Sequence, residues 1–169
     1  QTEANALADR IAVMEDGELQ QFASPDEIKK YPANLFTGTF VGEPPMNVFP
    51  AAASISETTV SLQLAGDVAL TYPSDAFSPQ LRARLTEMRD VILGVRPEDI
   101  ADASLRGGEG RQEADCLIDI VEPAGADTFA VMQLGGKHVT ARLHAETSAV
   151  AGKTLSLAFD LGKVSYFAP

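Results

Sequence analysis

Apolar and polar positions follow two different rhythms along this chain, and the change falls near Asn47. The stretch "TEANALADR" opens on helical spacing, with Ala4, Leu7, Ala8 and Ile11 recurring on one face. Two short apolar runs, "IAVM" and "LQQF", then flank Asp16-Gly17. That pair predicts a hairpin, because a type I′ turn needs positive φ at both central residues. "SPDE" predicts a short helix. Ser24 is placed to cap it, Pro25 suits the first helical position, Glu27 can complete a capping box, and Pro32 stops the helix. "ANLFTGTFVG" predicts another short helix that ends near Gly42, with Pro44-Pro45 enforcing the stop.

Beyond Asn47 the period shortens to two. "TTVSLQL" places Val60, Leu62 and Leu64 on one face, and Gly66-Asp67 turns the chain into "VALTY". "SPQLRARLTEM" interrupts with a helix capped by Ser78 and Pro79. "VILGVR" is apolar on both faces and predicts a central strand. "SLRGGEGRQ", with Glu109 at its centre, reads as a polar, Gly-rich loop. "EADCLIDIVEP" is expected to bury Ala114, Cys116, Ile118 and Ile120. "DTFAVMQL" and "KHVTARL" form a second hairpin across Gly135-Gly136, and "TLSLAFD" is expected to bury Leu155, Leu157 and Phe159. Short strands at this spacing predict a mainly β chain that closes into a small, OB-like barrel.

Composition narrows the classes. A chain of 169 residues suits one domain, or one domain and a further piece. Its 45% apolar content is enough for a packed core. No apolar run approaches the ~18 residues that span a bilayer. The first residues lack the basic-then-apolar layout of a secretory signal. The net charge of −11 repels phosphate backbones, so nucleic acid is not an expected partner. Cys116, the single cysteine, has no intrachain disulfide partner, which fits a reducing compartment.

Candidate chemistry is sparse. The sequence contains no Walker A pattern, and "RGGEGR" lacks the Lys-Ser/Thr that would follow a phosphate-cradling loop. Alternation in "KHVTARLH" points His138 and His144 outward, too far apart for a metal pair on one helical turn. A buried thiol at Cys116 would be inert. The densest charged group is "GVRPEDI", where Arg96, Pro97, Glu98 and Asp99 follow the apolar strand. Glu98, Asp99 and Glu122 are the residues from which an acid and base pair could be drawn. No tryptophan is present to accompany them as a sugar-stacking surface. The structural reading is that Arg96 pairs with a carboxylate while Pro97 sets a turn.

Two stretches together carry a resemblance. "TEANALADRIAVMEDGELQQFASPDEIKKYPANLFTGTFVGEPPMN" resembles the end of the ATP-binding subunit of sugar ABC importers of the maltose and glycerol-3-phosphate type. "ILGVRPEDI" and "DIVEPAGADTFAVMQLGGKHVTAR" resemble the regulatory TOBE domain of the same subunits, which has an OB-like, TOBE/MOP-like fold. The resemblance implies a division into a remnant of the nucleotide-binding domain (residues 1–31), a linker helix with its Pro-rich connection (32–46) and the TOBE/OB-like domain (47–169). It implies that the strands of the small α/β remnant expose edges and apolar faces. It places Gln1 just after the family's switch-loop histidine. Walker A, the signature sequence and Walker B would then lie outside these residues, and the chain by itself would be no enzyme.

The resemblance further implies that Arg96, Pro97, Glu98 and Asp99, with the Glu122 to Gly125 corner, lie near regulatory or dimer contacts. The expected roles are regulation and dimerisation, with no catalytic, cofactor or metal residue in this chain. ATP and magnesium would belong to the longer parent. The implied partners are a second copy, transmembrane permease subunits and, as in some members of the family, a regulatory protein, at the cytoplasmic face of the membrane. A different class stays open: a free-standing OB-like domain that binds a small ligand in a barrel groove or at a dimer seam.

Overall fold

The computed structural model describes residues 7–66, 68–106 and 111–169. Most of the helix expected at the start, Asp67 of the Gly66-Asp67 turn, and the 107–110 centre of the Gly-rich loop with Glu109 lie outside the described residues. Strands β1 (Ile11–Glu15) and β2 (Glu18–Ala23) pair antiparallel. Between them Asp16 and Gly17 take φ of 49° and 85°, the left-handed pair a I′ turn requires. Helix α1 (Pro25–Lys30) starts as its residues dictate: Ser24 Oγ accepts the Glu27 N–H at 3.3 Å. Helix α2 (Leu35–Phe40) is capped by Asn34, whose Oδ1 accepts the Thr37 N–H at 2.8 Å.

These elements share a small core of Val13, Ala23, Ile28 and Val41, with Ile11 and Phe36 packed against it. The 32–46 stretch is therefore a packed piece, with Thr37 and Val41 buried. The hairpin's other side leaves Met14, Leu19 and Phe22 exposed, and β1 and β2 form a sheet of two strands.

The remaining strands are β3 (Asn47–Ile55), β4 (Thr59–Gln63), β5 (Ala69–Pro73), β6 (Asp90–Val95) and β7 (Ile100–Asp102). They continue with β8 (Arg111–Ala124), β9 (Asp127–Leu134), β10 (Lys137–His144), β11 (Thr154–Asp160) and β12 (Ser165–Phe167). Helix α3 (Pro79–Met88) connects β5 to β6, and a single turn α4 (Ala103–Arg106) follows β7. Two five-stranded antiparallel sheets result, in the orders β12-β6-β3-β4-β5 and β10-β9-β8-β11-β7. Their inner faces meet in one core that includes Val60, Leu62, Leu93, Ile118, Met132, Leu143 and Phe159. This is the mainly β, OB-like barrel that the alternation predicts.

Strand β6 runs between β12 and β3, as its two-sided apolar pattern requires. Val91, Leu93 and Val95 face the core. On its other face Gly94 has no room for a side chain, because a Cβ there would collide with Met46 Sδ and the Phe167 ring. Two polar side chains bridge the sheets. Asn47 Nδ2 donates to Thr140 O at 2.8 Å while its Oδ1 accepts the Thr140 N–H at 2.9 Å. Gln112 Oε1 accepts the Thr71 N–H at 3.0 Å.

One expectation fails on β8. Ile118 is buried, but Ile120 is 57% exposed. The register shifts between them: Ile118 opposes Met132, whereas Ile120 opposes Val131. A β-bulge adds one residue to β8, reverses the alternation and turns Val121 toward the core in place of Ile120. Ala114 and Leu155 pack against the core without full burial, whereas Ala158, which simple alternation turned outward, is buried.

Ile118→Ala is expected to cost about 2–5 kcal/mol. Ile120→Ser should stay within about 0.5 kcal/mol of the parent. Urea unfolding of both variants measures the difference, and equal losses would mean that β8 runs without the bulge.

Candidate functional site

Strand β6 ends where Pro97 fixes its own φ and a 3-10 turn over Pro97–Asp99 begins. The Asp99 N–H donates to Arg96 O at 3.0 Å and closes the turn. Arg96 is only 4% exposed. Its Nε donates to Lys29 O at 2.8 Å and its Nη1 to Val41 O at 2.7 Å. Lys29 lies in the last turn of α1, and Val41 is the residue that ends α2. The last carbonyls of a helix have no partner within it, and Arg96 supplies one to each helix end. Gly42, at φ 125°, makes this approach possible, since a Cβ there would stand 2.9 Å from Nη1.

The expected pairing of Arg96 with a carboxylate is therefore not what the structure contains. Glu98 meets Lys29 Nζ at 3.2 Å, and Asp99 meets Lys163 Nζ at 3.0 Å. The reason is competition. The guanidinium is buried among backbone carbonyls left over by two short helices, and the 3-10 turn carries the carboxylates out to lysines on other segments. Burial lowers the Arg96 pKa, while Glu98 and Asp99 oppose that shift. Asp99 is shifted up, because burial outweighs its hydrogen bond from Lys163. Glu98 and Asp99 are each held by a lysine, an arrangement that fastens segments together.

Two cavities flank this turn. One, of about 430 Å³, lies between the end of α1, Arg96 and the 162–165 segment. The other, of about 380 Å³, is lined by Glu98, Asp102, Asp127, Arg142 and His144, among others. Arg142 Nε donates to Asp127 Oδ2 at 2.9 Å. Glu122 and Gly125 sit at the β8–β9 hairpin tip, with Gly125 at φ 71°, and neither lines these cavities. The structure thus groups Arg96, Pro97, Glu98 and Asp99 in one turn, while Asp127, just beyond the Glu122 to Gly125 corner, lines a cavity together with Glu98.

Sequence reasoning missed two residues of consequence. Asn47, marked in the sequence only as the point where the pattern changes, joins the two sheets. Asp102 is 3% exposed and accepts from Ser104 N (3.0 Å), Ser104 Oγ (2.6 Å), Thr147 Oγ1 (2.7 Å), Ser148 N (3.1 Å) and Ser148 Oγ (3.3 Å). Burial pushes its carboxyl up, but these donors outweigh it and hold the pKa below the ordinary value. The signal available was a lone Asp at a position where a strand face should be apolar. His138 and His144 are exposed, as the alternation requires, each beside a carboxylate, Asp119 and Glu146. Cys116 is buried, and burial first, with Asp115 second, pushes its thiol up to about 11. Among the described residues no helix is long and apolar enough to cross a membrane.

An OB-like barrel fastened through a buried arginine to a short α/β segment is the class this geometry defines. Residues 42–100 match the family model described as the MalK OB fold domain. The oligosaccharides import ATP-binding protein MsmX of Bacillus subtilis is 33% identical over 168 residues, covering 99% of this chain and 44% of that protein. The trehalose/maltose import ATP-binding protein MalK of Thermococcus litoralis is 34% identical over 170 residues, again 99% and 44%. The sn-glycerol-3-phosphate import ATP-binding protein UgpC of Cupriavidus necator is 33% identical over 169 residues, covering 100% of this chain and 45% of that protein. Over nearly its whole length the chain is similar to these sugar-importer ATP-binding subunits, and its residues 42–100 match the MalK OB fold domain. It spans less than half the length of the curated relatives it matches. Among solved structures, the cytoplasmic molybdate-binding protein ModG with molybdate bound aligns with a TM-score of 0.52, at 18% identity, over 73% of this chain and 96% of that one. At that identity the likeness is one of fold.

Arg96→Ala removes both donors and strands one buried and one half-buried carbonyl, so it is expected to cost about 2–5 kcal/mol, read from urea unfolding. Arg96→Lys should recover only part of this, since one ammonium cannot reproduce the fork. A loss below about 0.5 kcal/mol would deny Arg96 this role.

Asp102 gives a pH prediction. Its folded pKa is depressed, so its contribution is complete above the unfolded value near 3.8 and is lost as pH falls through the folded value. Asp102→Asn should therefore be less stable than the parent at pH about 7, with the gap shrinking below pH about 4. A gap that stays constant across acid titration of the unfolding midpoint would contradict this.

Proposed function

We propose that this chain is the regulatory and dimer-holding part of the ATP-binding subunit of a carbohydrate importer. The observation that carries the proposal is the Arg96 joint, which ties the segment before Asn47 to the barrel at two points. A barrel fixed in this way moves with the segment that precedes it. Two barrels in permanent contact would then keep a pair of nucleotide-binding halves together through each opening. Re-closure becomes an intramolecular event at high effective concentration. A regulator that prefers one spacing of the halves would shift the population and with it the transport rate.

In this reading Arg96, Pro97, Glu98 and Asp99 set the joint, and the Glu122 to Gly125 corner offers a hairpin tip for contact with the second copy. The permease subunits, the carbohydrate cargo and the position at the inner membrane face belong to the whole transporter. ATP and magnesium would be bound by its other residues. The residues present do not fit a nucleotide, because no phosphate-cradling Gly-rich loop with its Lys-Ser/Thr occurs among them. No hydrolytic step is assigned to them.

Sedimentation equilibrium of the 169-residue chain tests the proposal. The expected result is a dimer at micromolar concentration. The charge of −11 per chain opposes association, so moderate salt should strengthen the dimer or leave it unchanged. A chain that stays monomeric at high micromolar concentration in moderate salt would refute the dimer-holding role.

A further inference from the structure

The chain is strongly acidic, yet its cations gather at one place. Lys29, Lys30, Arg84, Arg96 and Lys163, five of the 13 lysines and arginines, line the cavity beside the Arg96 turn and a second one that adjoins it across Lys30, Gly162 and Lys163. The carboxylates lining the same space are Asp26, Glu98 and Asp99. Two of those pair with two of the cations, Glu98 with Lys29 and Asp99 with Lys163, which leaves Lys30, Arg84 and Arg96 against Asp26. A local excess of positive charge therefore stands against a net charge of −11 for the chain.

A second, independent observation comes from the buried guanidinium. Arg96 spends Nε and Nη1 on the carbonyls of Lys29 and Val41, but Nη2 is buried and has no hydrogen-bond partner among the described residues. Arg96 also lines the cavity. Buried charged donors are normally satisfied, and a guanidinium with open N–H groups beside ammonium groups is the donor set that matches a tetrahedral oxyanion. The volume, about 430 Å³, is ample for one. Lys29, Lys30 and Tyr31 on one wall precede Asn47, while Arg96, Lys163 and Ser165 on the other belong to the barrel. An occupant would touch both sides of the joint.

We propose that this cavity binds a phosphate group, as free inorganic phosphate or as the head of a phosphate monoester, with Arg96 and Lys30 from opposite walls and Lys163 beside them as its donors. Bound there, the anion adds contacts across the joint and stiffens the barrel against the segment that precedes it. The site goes beyond the dimer-holding role, and its occupancy is read per chain, whatever the oligomeric state.

Calorimetric titration of the 169-residue chain with inorganic phosphate, and separately with phenyl phosphate, at ionic strength held constant with chloride, tests the site. One saturable event per chain is expected with at least one of the two, and the tighter ligand tells free phosphate from an ester as the source. Lys30→Glu, at an exposed position, should weaken that binding by roughly tenfold or more while leaving the unfolding midpoint in chloride near the parent's. Lys153→Glu, the same charge change at an exposed residue away from the cavity, should leave the affinity within about twofold. Absence of saturable heat with both ligands would overturn the proposal and leave Nη2 to an internal water. So would equal weakening by Lys30→Glu and Lys153→Glu, the mark of diffuse attraction without a site.

Discussion

The guanidinium of Arg96 holds this molecule's two parts together. A charged side chain can be buried only where polar partners wait for it, and here two helix ends provide them. Helices α1 and α2 are six residues each, so most of their carbonyls have no place in an intrahelical ladder. The planar fork of arginine reaches two of these at once, across 67 and 55 residues of chain. A lysine would offer a point charge to the same space, and a neutral side chain would leave the carbonyls unpaired.

Close packing around the fork follows from it. Gly42 leaves space for Nη1, and Gly94 leaves space for Met46 and Phe167, so the connection from the helices lies directly on the outer face of β6. Asn47 comes next in the chain and links β3 to β10 with hydrogen bonds in both directions. The path from helix end to barrel wall thus contains little freedom. That rigidity is what the proposed dimer-holding role would require of the barrel.

Electrostatics around the joint is arranged in tiers. The buried contacts of Arg96 are charge-assisted and shielded from salt. The Lys29–Glu98 and Lys163–Asp99 pairs are partly exposed, so each adds about 0–1 kcal/mol and is screened by salt. Asp102 lies on the other side of the turn and acts as a local anchor, collecting hydroxyl and backbone donors that fix the 147–148 loop against β7. Arg96, Glu98 and Asp99, the charged groups of the turn that look reactive in the sequence, are each engaged by a neighbour that gives them a structural task.

The sequence by itself determined everything that depends on near neighbours. Asp16-Gly17 set its turn, Ser24 and Ser78 set their caps, and the period-two stretches set the inward faces of β4 and β10, because these choices depend on backbone conformations and side-chain alternation within a few residues. The resemblance in "GVRPEDI" and "PPMN" pointed to the right family for the same reason: short motifs record local geometry. What lay beyond reach were the choices made between distant segments. The bulge after Ile118 depends on how β8 meets β9, and no alternation count reveals an added residue. Arg96 turned from the adjacent carboxylates to carbonyls at Lys29 and Val41, and Asp102 gathered donors from 45 residues away. Only the folded chain decides which polar groups are buried together, because a buried donor or acceptor takes the partner that tertiary packing puts within hydrogen-bond reach, whatever its place in the sequence.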